Sequence, residues 1–357
     1  MPMDLPRTFP MRVAGGKIIQ VPSVGFGTWA ADDPTWCSQA VADALKAGYR
    51  HLDCAWEYGV DSEVGKGIRM SGVPRKEIFV TTKFWPHFAA PENVQVCLEQ
   101  VLERMGLDYV DLFLAHFPGA LKPQGDLSQA VNFLGATPDD QKAATDADGN
   151  YIPDILHCPK SVAKLNGADG SFVPTWQAMK KLVKSGKCRA IGVSNFEQEH
   201  IEEILPYATH NNVPISCNQI EAHPWYPNTK LISFLHRESI VPSIYSPFAP
   251  KRFRLERGQV LGEPFQPNGV LLLQEGKVRE VAHRNNMDVG QVLQSWAVQR
   301  HTIPLAKSQS KHRISSNLFV QRLPENDMQK LDSLSLEGNY GKCIDLNLLF
   351  PGLKFHD

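Results

Sequence analysis

Short apolar runs alternate with amphipathic stretches along most of this 357-residue chain. Apolar runs bounded by turn residues predict β-strands, here at 23–28, 50–52, 78–82, 110–115, 189–193, 216–220, 241–245 and 302–305. Apolar residues spaced three and four apart predict helices, here at 35–47, 63–70, 91–105, 176–185, 197–205, 228–237, 275–284, 289–299 and 312–319. Strands that alternate with helices predict a parallel sheet. Eight such strands predict an α/β protein with a closed (β/α)8 TIM barrel.

Two segments depart from this alternation. Residues 11–22 predict an N-terminal β-hairpin, because the dipeptide Gly15-Gly16 is a strong turn signal between short apolar flanks. Residues 118–174 form a connection that is rich in Gly, Pro, Asp and Asn, and connections of this length are usually functional or disordered. It follows a predicted strand directly, so it must leave the barrel at the face formed by the strand ends. One interpretation is a loop that covers the mouth of a pocket with apolar residues; the other is a surface excursion along the outer helices. The apolar candidates are Phe133, Leu134, Tyr151, Ile152 and Ile155.

Composition narrows the class of protein. A net charge of −1 provides no broad basic field for nucleic acid or an anionic membrane. No apolar run approaches the length of a membrane span, and the first residues lack the apolar core of a signal peptide. The seven cysteines contain no C-x-x-C pair, which favours reduced thiols in the cytosol over a disulfide framework or a zinc site. We therefore expect one cytoplasmic barrel domain over residues 1–357, with neither nucleic-acid nor membrane partners.

Four polar residues follow consecutive predicted strands. Asp53 comes directly after strand 50–52 with Tyr58 a short loop further on, Lys83 follows strand 78–82, and His116 follows strand 110–115. The ends of barrel strands meet at one face, so these side chains are candidates for a common site. Taken singly, each has a simpler explanation: a helix-capping aspartate, a rim tyrosine, a snorkelling lysine and a core histidine. There is no G-x-G-x-x-G motif after a predicted strand, which counts against a Rossmann dehydrogenase.

Taken together and in this order, Asp53, Tyr58, Lys83 and His116 resemble the catalytic tetrad of the aldo-keto reductase family. Similar segments surround them: Gly25-Phe26-Gly27-Thr28-Trp29, Ile191-Gly192-Val193-Ser194-Asn195-Phe196, Asn218-Gln219, Tyr245-Ser246-Pro247, and Lys307-Ser308 with Arg313. The resemblance covers nearly the whole chain. It implies a hydride transfer from NADPH to the carbonyl of an aldehyde or ketone. In such a reaction Tyr58 would donate the proton, Lys83 would supply positive charge, Asp53 would hold Lys83, and His116 would orient the carbonyl.

The resemblance also implies a set of contacts to NADP(H). Tyr245 would offer a flat face to the nicotinamide ring, and Lys307, Ser308 and Arg313 would bind the adenosine phosphate at a helix N-terminus. Ser316 stands where the family usually has an acid, and Ala306 where proline is more usual, so one adenine contact is left open. The full expected set is Thr28, Trp29, Asp53, Ser194, Asn195, Gln219, Tyr245, Ser246, Phe248, Lys307, Ser308, Arg313 and Asn317.

Aromatic residues are the main candidates for the substrate pocket, because aromatic walls favour apolar or aromatic carbonyl compounds. The expected substrate-binding residues are Trp29, Tyr58, Trp85, His116, Phe117 and Trp225. Core packing is the main alternative for Trp225, and Phe117 stands where many relatives have tryptophan. The basic loop 248–267 is either solvated or a lid over the cofactor pyrophosphate. Residues 338–357 would fold over the pocket and help to select the substrate.

Two rival functions are kept as alternatives. One is a non-catalytic, cofactor-binding regulatory protein of the same fold, against which the intact tetrad counts. The other is a metal-dependent barrel hydrolase, which the absence of a His/Asp ligand cluster at the strand ends disfavours, so no metal is expected. We expect a small-molecule carbonyl substrate and a monomer or homodimer.

Overall fold

The alternating strands close into an eight-stranded barrel in the computed structural model, which describes residues 5–29, 33–132, 136–209, 212–256, 259–267, 269–336, 341–350 and 352–355. The strands are β1 (Thr8–Arg12), β2 (Ile18–Pro22), β3 (Gly25–Gly27), β4 (His51–Asp53), β5 (Phe79–Phe84), β6 (Val110–Ala115), β7 (Cys188–Ser194), β8 (Cys217–Glu221), β9 (Val241–Tyr245), β10 (Lys251–Glu256), β11 (Gln259–Pro264) and β12 (Ile303–Ala306). The order around the barrel is β12-β3-β4-β5-β6-β7-β8-β9, and every neighbouring pair is parallel. The predicted (β/α)8 fold is confirmed.

Helices follow the strands, as the periodicity predicts. They are α1 (Trp36–Ala47), α2 (Asp61–Ser71), α3 (Val94–Met105), α4 (Pro138–Gln141), α5 (Lys160–Leu165), α6 (Val173–Lys184), α7 (Gln198–Thr209), α8 (Thr229–Arg237), α9 (Gly276–Arg284), α10 (Val289–Gln299), α11 (Lys311–Leu318), α12 (Glu325–Asp332) and α13 (Leu346–Leu349). Helix α3 begins at Val94, three residues after the predicted start at residue 91. Helix α12 was not predicted from the sequence.

The β1–β2 hairpin covers the barrel end opposite the site. The backbone amide of Gly15 donates to the carbonyl of Asn212, which precedes β8. The ring of Phe9 lies 5.9 Å from that of His301, which precedes β12. Both contacts are therefore with the amino-terminal side of barrel strands, where Met11 and Val21 are buried. The predicted hairpin is confirmed.

Two glycines bring α2 close to its neighbours. A Cβ atom at Gly65 would lie 2.0 Å from the carbonyl oxygen of Met105 at the end of α3. A Cβ atom at Gly67 would lie 2.7 Å from the carbonyl oxygen of Ser38 in α1. Both distances are far below contact distance, so only glycine allows this packing. The close approach fixes α2 directly after the loop that carries Tyr58.

Two segments that were predicted as loops contain regular structure. Residues 248–267 include the antiparallel hairpin β10–β11. The 118–174 connection contains α4, α5 and two 3-10 turns, Leu127–Gln129 and Ile155–His157. Isolated bridges pair Leu121 with Pro153 and Thr145 with Tyr151, so this connection folds back on itself. The residues Phe133 and Leu134, which were candidates to cover the pocket, lie outside the described residues.

Candidate active site

Consecutive strand ends bring the four predicted catalytic residues together. Asp53 is the last residue of β4, Lys83 is the fifth of six in β5, and His116 follows β6. Tyr58 ends a 3-10 turn, Trp56–Tyr58, that begins soon after β4. The ammonium of Lys83 is fully buried and donates at 2.9 Å to both carboxylate oxygens of Asp53 and to the carbonyl of Cys54. It also lies 3.2 Å from the hydroxyl of Tyr58.

Charge and burial act against each other in this group. Burial alone would lower the pKa of Lys83, but Asp53 and Tyr58 favour its charged form, and the pKa is raised. Lys83 therefore remains a cation. Burial raises the pKa of Tyr58 to about 12, although Lys83 acts in the opposite direction. Burial outweighs the positive charge of Lys83, so Tyr58 keeps its proton at neutral pH. Burial and Lys83 lower the pKa of His116 well below its usual value, so its ring is neutral.

Neighbouring strands hold Asp53 in place. The side-chain amide of Gln219 in β8 donates to Oδ1 of Asp53 at 2.7 Å. The hydroxyl of Thr28 donates to the Asp53 carbonyl at 2.9 Å. Asp53 thus accepts bonds from Lys83, Gln219 and Thr28, which fixes the position of the ammonium beneath Tyr58.

Asp53, Tyr58 and His116 line a large cavity of about 1090 Å³, a volume suited to a large ligand. Fifteen of the predicted site residues line it: Trp29, Asp53, Tyr58, Trp85, His116, Phe117, Asn195, Gln219, Tyr245, Ser246, Phe248, Lys307, Ser308, Arg313 and Asn317. Four others do not: Thr28, Lys83, Ser194 and Trp225. The first three of these are buried directly behind the wall, where they support the lining residues.

Sequence reasoning missed several lining residues. They include Glu57, Lys251, Leu273, Met287, Asp288, Val289, Gly290, Gln309, His312, Ile344 and Leu349. Glu57 and His312 directly precede or stand near predicted site residues, so proximity in sequence could have indicated them. Val289 and Gly290 begin helix α10, and Leu273 lies in the 3-10 turn Leu272–Gln274. Lys251, Ile344 and Leu349 belong to two segments, 248–267 and 338–357, that were expected near the site without being singled out as residues.

Polar side chains along β7 to β9 form a connected network beside the tetrad. Tyr245 donates its hydroxyl proton to Oδ1 of Asn195 at 2.6 Å. The amide nitrogen of Asn195 donates to the carbonyl of His116 at 2.9 Å and lies 3.2 Å from Oγ of Ser194. Asn195 has a left-handed backbone with φ of 63°, which directs this side chain back toward the strand ends. Ordered amide and hydroxyl groups of this kind can bind an amide ligand.

The far end of the cavity is positively charged and lies at the N-terminus of α11. Ser310 caps this helix by accepting from the backbone amide of Arg313. The guanidinium Nε of Arg313 lies 3.4 Å from Oγ of Ser308, and Nζ of Lys307 lies 4.4 Å from the centroid of the Trp36 ring. Two cations beside a helix N-terminus favour a phosphate group.

Asn317 contributes a polar group to the same end of the cavity. It is buried, and its Oδ1 would be only 2.6 Å from a Cβ atom at Gly290. Glycine at position 290 therefore leaves the space that this side chain needs. The donor and acceptor groups at this end fit an adenosine phosphate.

The wall on the other side of His116 is aromatic. The ring of Phe117 stacks on His116 at 4.8 Å, and that of Trp85 meets His116 edge-on at 5.3 Å. Phe350 from the C-terminal segment packs on Phe117 at 5.1 Å and on Trp85 at 5.9 Å. Ile344 and Leu349 from the same segment also line the cavity. The described part of the C-terminal segment therefore forms a wall of the pocket.

Trp225 occupies a different place from the one expected. It is fully buried, outside the residues that line the cavity, with its ring centroid 5.8 Å from that of Phe265. The backbone of Gly341 packs so closely on it that a Cβ atom there would lie 2.2 Å from the Trp225 carbonyl. Its surroundings are those of a packing residue for the C-terminal segment, the alternative that the sequence left open.

The 118–174 connection does not reach the cavity through any of its described residues. Tyr151, which the sequence analysis proposed for a cover over the pocket, instead donates its hydroxyl proton to Oε1 of Gln141 at 2.7 Å. The connection packs against α3 and the turn that carries Tyr58. These contacts connect the described part of the connection to the residues next to Tyr58.

A buried group of potential metal ligands, which sequence analysis did not find, lies at the end of β8. Ligand atoms of Glu221, His223 and Cys343 lie within 4.8 Å of one another. However, the two Glu221 oxygens already accept the backbone amides of Cys343 and Ile344, at 2.5 and 2.9 Å. His223 Nε2 also lies 2.9 Å from Glu221. The group acts as a clasp that attaches the C-terminal segment to the barrel.

Comparison with known proteins agrees with this geometry. The sequence profile of the Aldo/keto reductase family matches residues 23–336. This chain belongs to the aldo-keto reductase family. An aldehyde reductase of Saccharomyces cerevisiae is 35% identical over 326 residues, 91% of each chain. A glycerol 2-dehydrogenase (NADP(+)) of the same yeast is 36% identical over 328 residues, 92% of each chain.

Further relatives extend the comparison. An NADPH-dependent D-xylose reductase of Meyerozyma guilliermondii is 33% identical over 332 residues, 91% of this aldo-keto reductase and 95% of the relative. The solved aldose reductase of Schistosoma japonicum superposes with a TM-score of 0.71 at 30% identity, covering 92% of this chain and 93% of the other. In the described part of the chain, no helix is long and apolar enough to cross a membrane.

Proposed function

We propose that this aldo-keto reductase reduces the carbonyl group of an aldehyde or ketone with NADPH, and that Tyr58 donates the proton. The observation that carries the proposal is the position of the Lys83 ammonium, which is buried between the Asp53 carboxylate and the Tyr58 hydroxyl. A cation at this place stabilises the phenolate that forms when Tyr58 gives up its proton. Two of the relatives are named for NADP(H), and the cavity offers groups that match both ends of that cofactor.

The role of each residue follows from its surroundings. NADPH, when bound, supplies the hydride. Tyr58 is protonated at neutral pH and lines the cavity, so it can protonate the carbonyl oxygen. Lys83 holds that hydroxyl and lowers the free energy of its anion, and Asp53 keeps the Lys83 ammonium in place. His116 is neutral, and one of its ring nitrogens can donate a hydrogen bond that orients the carbonyl.

The cofactor would lie along the cavity. Asn195 and Gln219 would bind the nicotinamide carboxamide, with Ser194 supporting Asn195 from behind the wall. Tyr245 would stack on the ring, with Trp29, Ser246 and Phe248 lining the same stretch. Lys307, Ser308 and Arg313 would bind the 2′-phosphate, with Asn317 at the adenine. The hairpin β10–β11 starts at Lys251, which lines the cavity, so this cation would face the pyrophosphate.

The substrate pocket favours apolar carbonyl compounds. Trp85, Phe117, Phe350, Ile344 and Leu349 place aromatic and aliphatic groups around His116. The hydroxyl groups of a sugar would find few hydrogen-bond partners against this wall. We therefore propose aromatic or medium-chain aldehydes as better substrates than pentoses, even though one relative is a xylose reductase.

A kinetic screen tests the proposal. The loss of NADPH absorbance is followed with an aromatic aldehyde, an aliphatic aldehyde, a ketone and xylose. Tyr58→Phe, which removes only the hydroxyl, should lower turnover by roughly 10²–10⁴-fold while NADPH still binds nearly as tightly. NADPH binding without oxidation by any carbonyl would instead favour the non-catalytic regulatory protein. Near-normal turnover of the variant would remove Tyr58 from the mechanism.

A further inference from the structure

The turn that carries Tyr58 is held by few hydrogen bonds of its own. It is a single 3-10 turn, and Ala55, which precedes it, provides no side-chain cap. Within the turn, the amide of Tyr58 donates to Ala55 at 3.1 Å and that of Gly59 to Trp56 at 3.3 Å. Single 3-10 turns have poor hydrogen-bond geometry and are easily deformed. The position of the Tyr58 hydroxyl above Lys83 therefore depends on what packs against this turn.

The 118–174 connection provides that support through Asn132. The side-chain amide nitrogen of Asn132 donates to the carbonyl of Glu57 and lies 3.3 Å from the carbonyl of Trp56. These are the two peptide groups that immediately precede Tyr58. One side chain from a distant part of the sequence thus holds both of them.

Two further residues of the connection fix the orientation of Asn132. Tyr151 donates its hydroxyl proton to Oε1 of Gln141 at 2.7 Å, and Nε2 of Gln141 donates to Oδ1 of Asn132 at 2.9 Å. Because Gln141 is a donor to Asn132, the Asn132 nitrogen must face the turn. Gln141 is 3% exposed and Tyr151 is 5% exposed, so water does not compete for these groups. The three side chains form a directional relay that ends at the turn.

A second set of contacts reaches Trp56 from the same connection. The indole of Trp56 donates to Oε1 of Gln100 in α3 at 3.0 Å. Nε2 of Gln100 donates to the carbonyls of Leu127 and Ser128, at 2.7 and 3.0 Å. On other sides, the rings of His87 and Phe88 pack edge-on against Trp56. The 118–174 connection and α3 thus enclose the residue that starts the turn.

We infer that Asn132, Gln141 and Tyr151 are positioning residues that hold the Trp56–Tyr58 turn, and that the described part of the 118–174 connection supports the proton donor. None of the three lines the cavity, so they act through Tyr58 and not through a substrate or cofactor. The inference rests on the proposed role of Tyr58. A displacement of a catalytic group by about 1 Å can lower the rate by ~10²-fold.

Kinetics test the effect on the proton donor. Asn132→Ala should lower kcat by about 10-fold to 100-fold, while the KM and the dissociation constant of NADPH remain within a factor of about two of the wild-type values. The matched control is Asn150→Ala, in the same connection, whose side chain hydrogen-bonds Asp146 in an exposed turn. In a Tyr58→Phe background, Asn132→Ala should have little further effect, because both changes act on the same group.

Hydrogen exchange gives a readout that does not need activity. A peptide that covers residues 55–60 should exchange faster in Asn132→Ala than in the wild type or in Asn150→Ala. If the wild type reduces no carbonyl compound, the proposed function fails, yet this experiment still decides whether the relay holds the turn. If Asn132→Ala does not fold, Tyr151→Phe takes its place, because it removes one hydroxyl and keeps the ring; a loss of about three-fold in kcat is expected.

Three results would overturn the inference. One is unchanged kcat and unchanged exchange in a folded Asn132→Ala or Tyr151→Phe variant. A second is an equal fold-loss of kcat in the wild-type and Tyr58→Phe backgrounds. The third is a loss of NADPH affinity that matches the loss of kcat, since a general structural defect would produce it.

Discussion

At the scale of single residues, the carboxyl group of Glu57 lies next to the proposed proton donor and is itself largely protonated at neutral pH. Burial raises its pKa from 4.5 to about 8, and a hydrogen bond with Gln141 acts in the opposite direction. Between these two pH values the folded chain holds a proton that the unfolded chain has lost. The stability contribution of this group is therefore complete below pH 4.5 and is lost as the pH rises through about 8.

Glu57→Gln should remove this pH dependence, because glutamine keeps the shape of the side chain and does not ionise. We expect the melting temperature of the variant to rise relative to the wild type as the pH increases from about 5 to about 9. Asp61, whose pKa burial raises to about 7, is present in both proteins and cancels in the comparison. Thermal unfolding at several pH values provides the measurement. A difference that stays constant with pH would mean that Glu57 is ionised in the folded protein.

Arg313 is the residue on which cofactor choice should depend. Its guanidinium lies beside Ser308 at the N-terminus of α11, where the 2′-phosphate of NADPH would bind. Arg313→Ala should weaken NADPH binding by roughly 1.5–3 kcal/mol, the value of a charge-assisted hydrogen bond, and should barely change NADH binding. Fluorescence titrations with both cofactors measure the effect, and Arg322→Ala, an exposed arginine outside the cavity, is the control. Equal losses for the two cofactors would show that Arg313 does not recognise the 2′-phosphate.

Sequence reasoning was strongest where chemistry depends on the order of strands. Asp53, Lys83 and His116 could be placed because strand ends of a parallel barrel share a face. The raised pKa of Tyr58 could not be predicted from the sequence, because it depends on burial by segments far away in the sequence. Trp225 was misplaced for the same reason: a buried and a pocket-lining tryptophan have the same local pattern.

At the scale of elements, a buried carboxylate joins the C-terminal segment to the barrel. Glu221 ends β8 and accepts the amides of Cys343 and Ile344, so the clasp holds the part of the segment that carries Leu349 and Phe350. Those residues contribute to the aromatic wall. Loosening the clasp should therefore alter the pocket without touching the tetrad.

Glu221→Ala should lower kcat/KM for a bulky aromatic aldehyde by about 10-fold, since apolar contacts of this size contribute ~1–3 kcal/mol to substrate discrimination. A small aliphatic aldehyde, which does not reach the wall, should be affected much less. Glu221→Gln keeps one acceptor oxygen and should give an intermediate result; Glu202→Ala, an exposed glutamate on α7, is the control. If the ratio of kcat/KM for the two aldehydes does not change, the clasp does not contribute to substrate selection.

Elements with a strong local pattern were predicted well and others were missed for physical reasons. The strands β6 and β9 and the helix α10 have the predicted bounds, because each has a sharp apolar pattern. The hairpin β10–β11 was predicted as a loop, since basic residues in Lys251–Glu256 obscure the alternation of a strand. Helix α12 has mostly polar residues, and its buried residues are Asp327, Met328 and Leu331. The relay through Asn132 depends on contacts between distant segments, which local patterns do not show.

At the scale of the whole molecule, one end of the barrel carries the proposed catalytic residues and the other end serves stability. Asp111, near the start of β6, is 1% exposed and accepts from Arg75 at 2.8 Å and Arg189 at 2.6 Å. It also accepts the backbone amide of Val80 in β5 at 2.9 Å. This buried carboxylate connects three consecutive strands at the end opposite the tetrad, so it serves stability.

Asp111→Ala should lower the free energy of unfolding by about 3 kcal/mol, because it removes the buried carboxylate that two guanidinium groups and the amide of Val80 donate to. The kcat of the folded enzyme should stay within a factor of about two of the wild-type value, since residues at this end contribute to stability and not to chemistry. Denaturant unfolding and steady-state kinetics measure the two effects, with the exposed Asp108→Ala as the control. A large loss of kcat with little loss of stability would contradict this division of the barrel.

The pairing of β12 with β3 has a consequence for synthesis of the chain. Residues Leu305 and Ala306 complete the barrel by pairing with Gly25 and Phe26. Strand β3, the first of the eight barrel strands to be synthesised, therefore pairs with β12, the last. Contacts between such distant residues form late, because a long loop must close before they gain any free energy. The C-terminal segment is made later still, and it supplies Ile344 and Leu349 to the cavity. The four tetrad residues are therefore synthesised early, and the barrel that aligns them closes near the end of synthesis. The pocket wall formed by the C-terminal segment is added last.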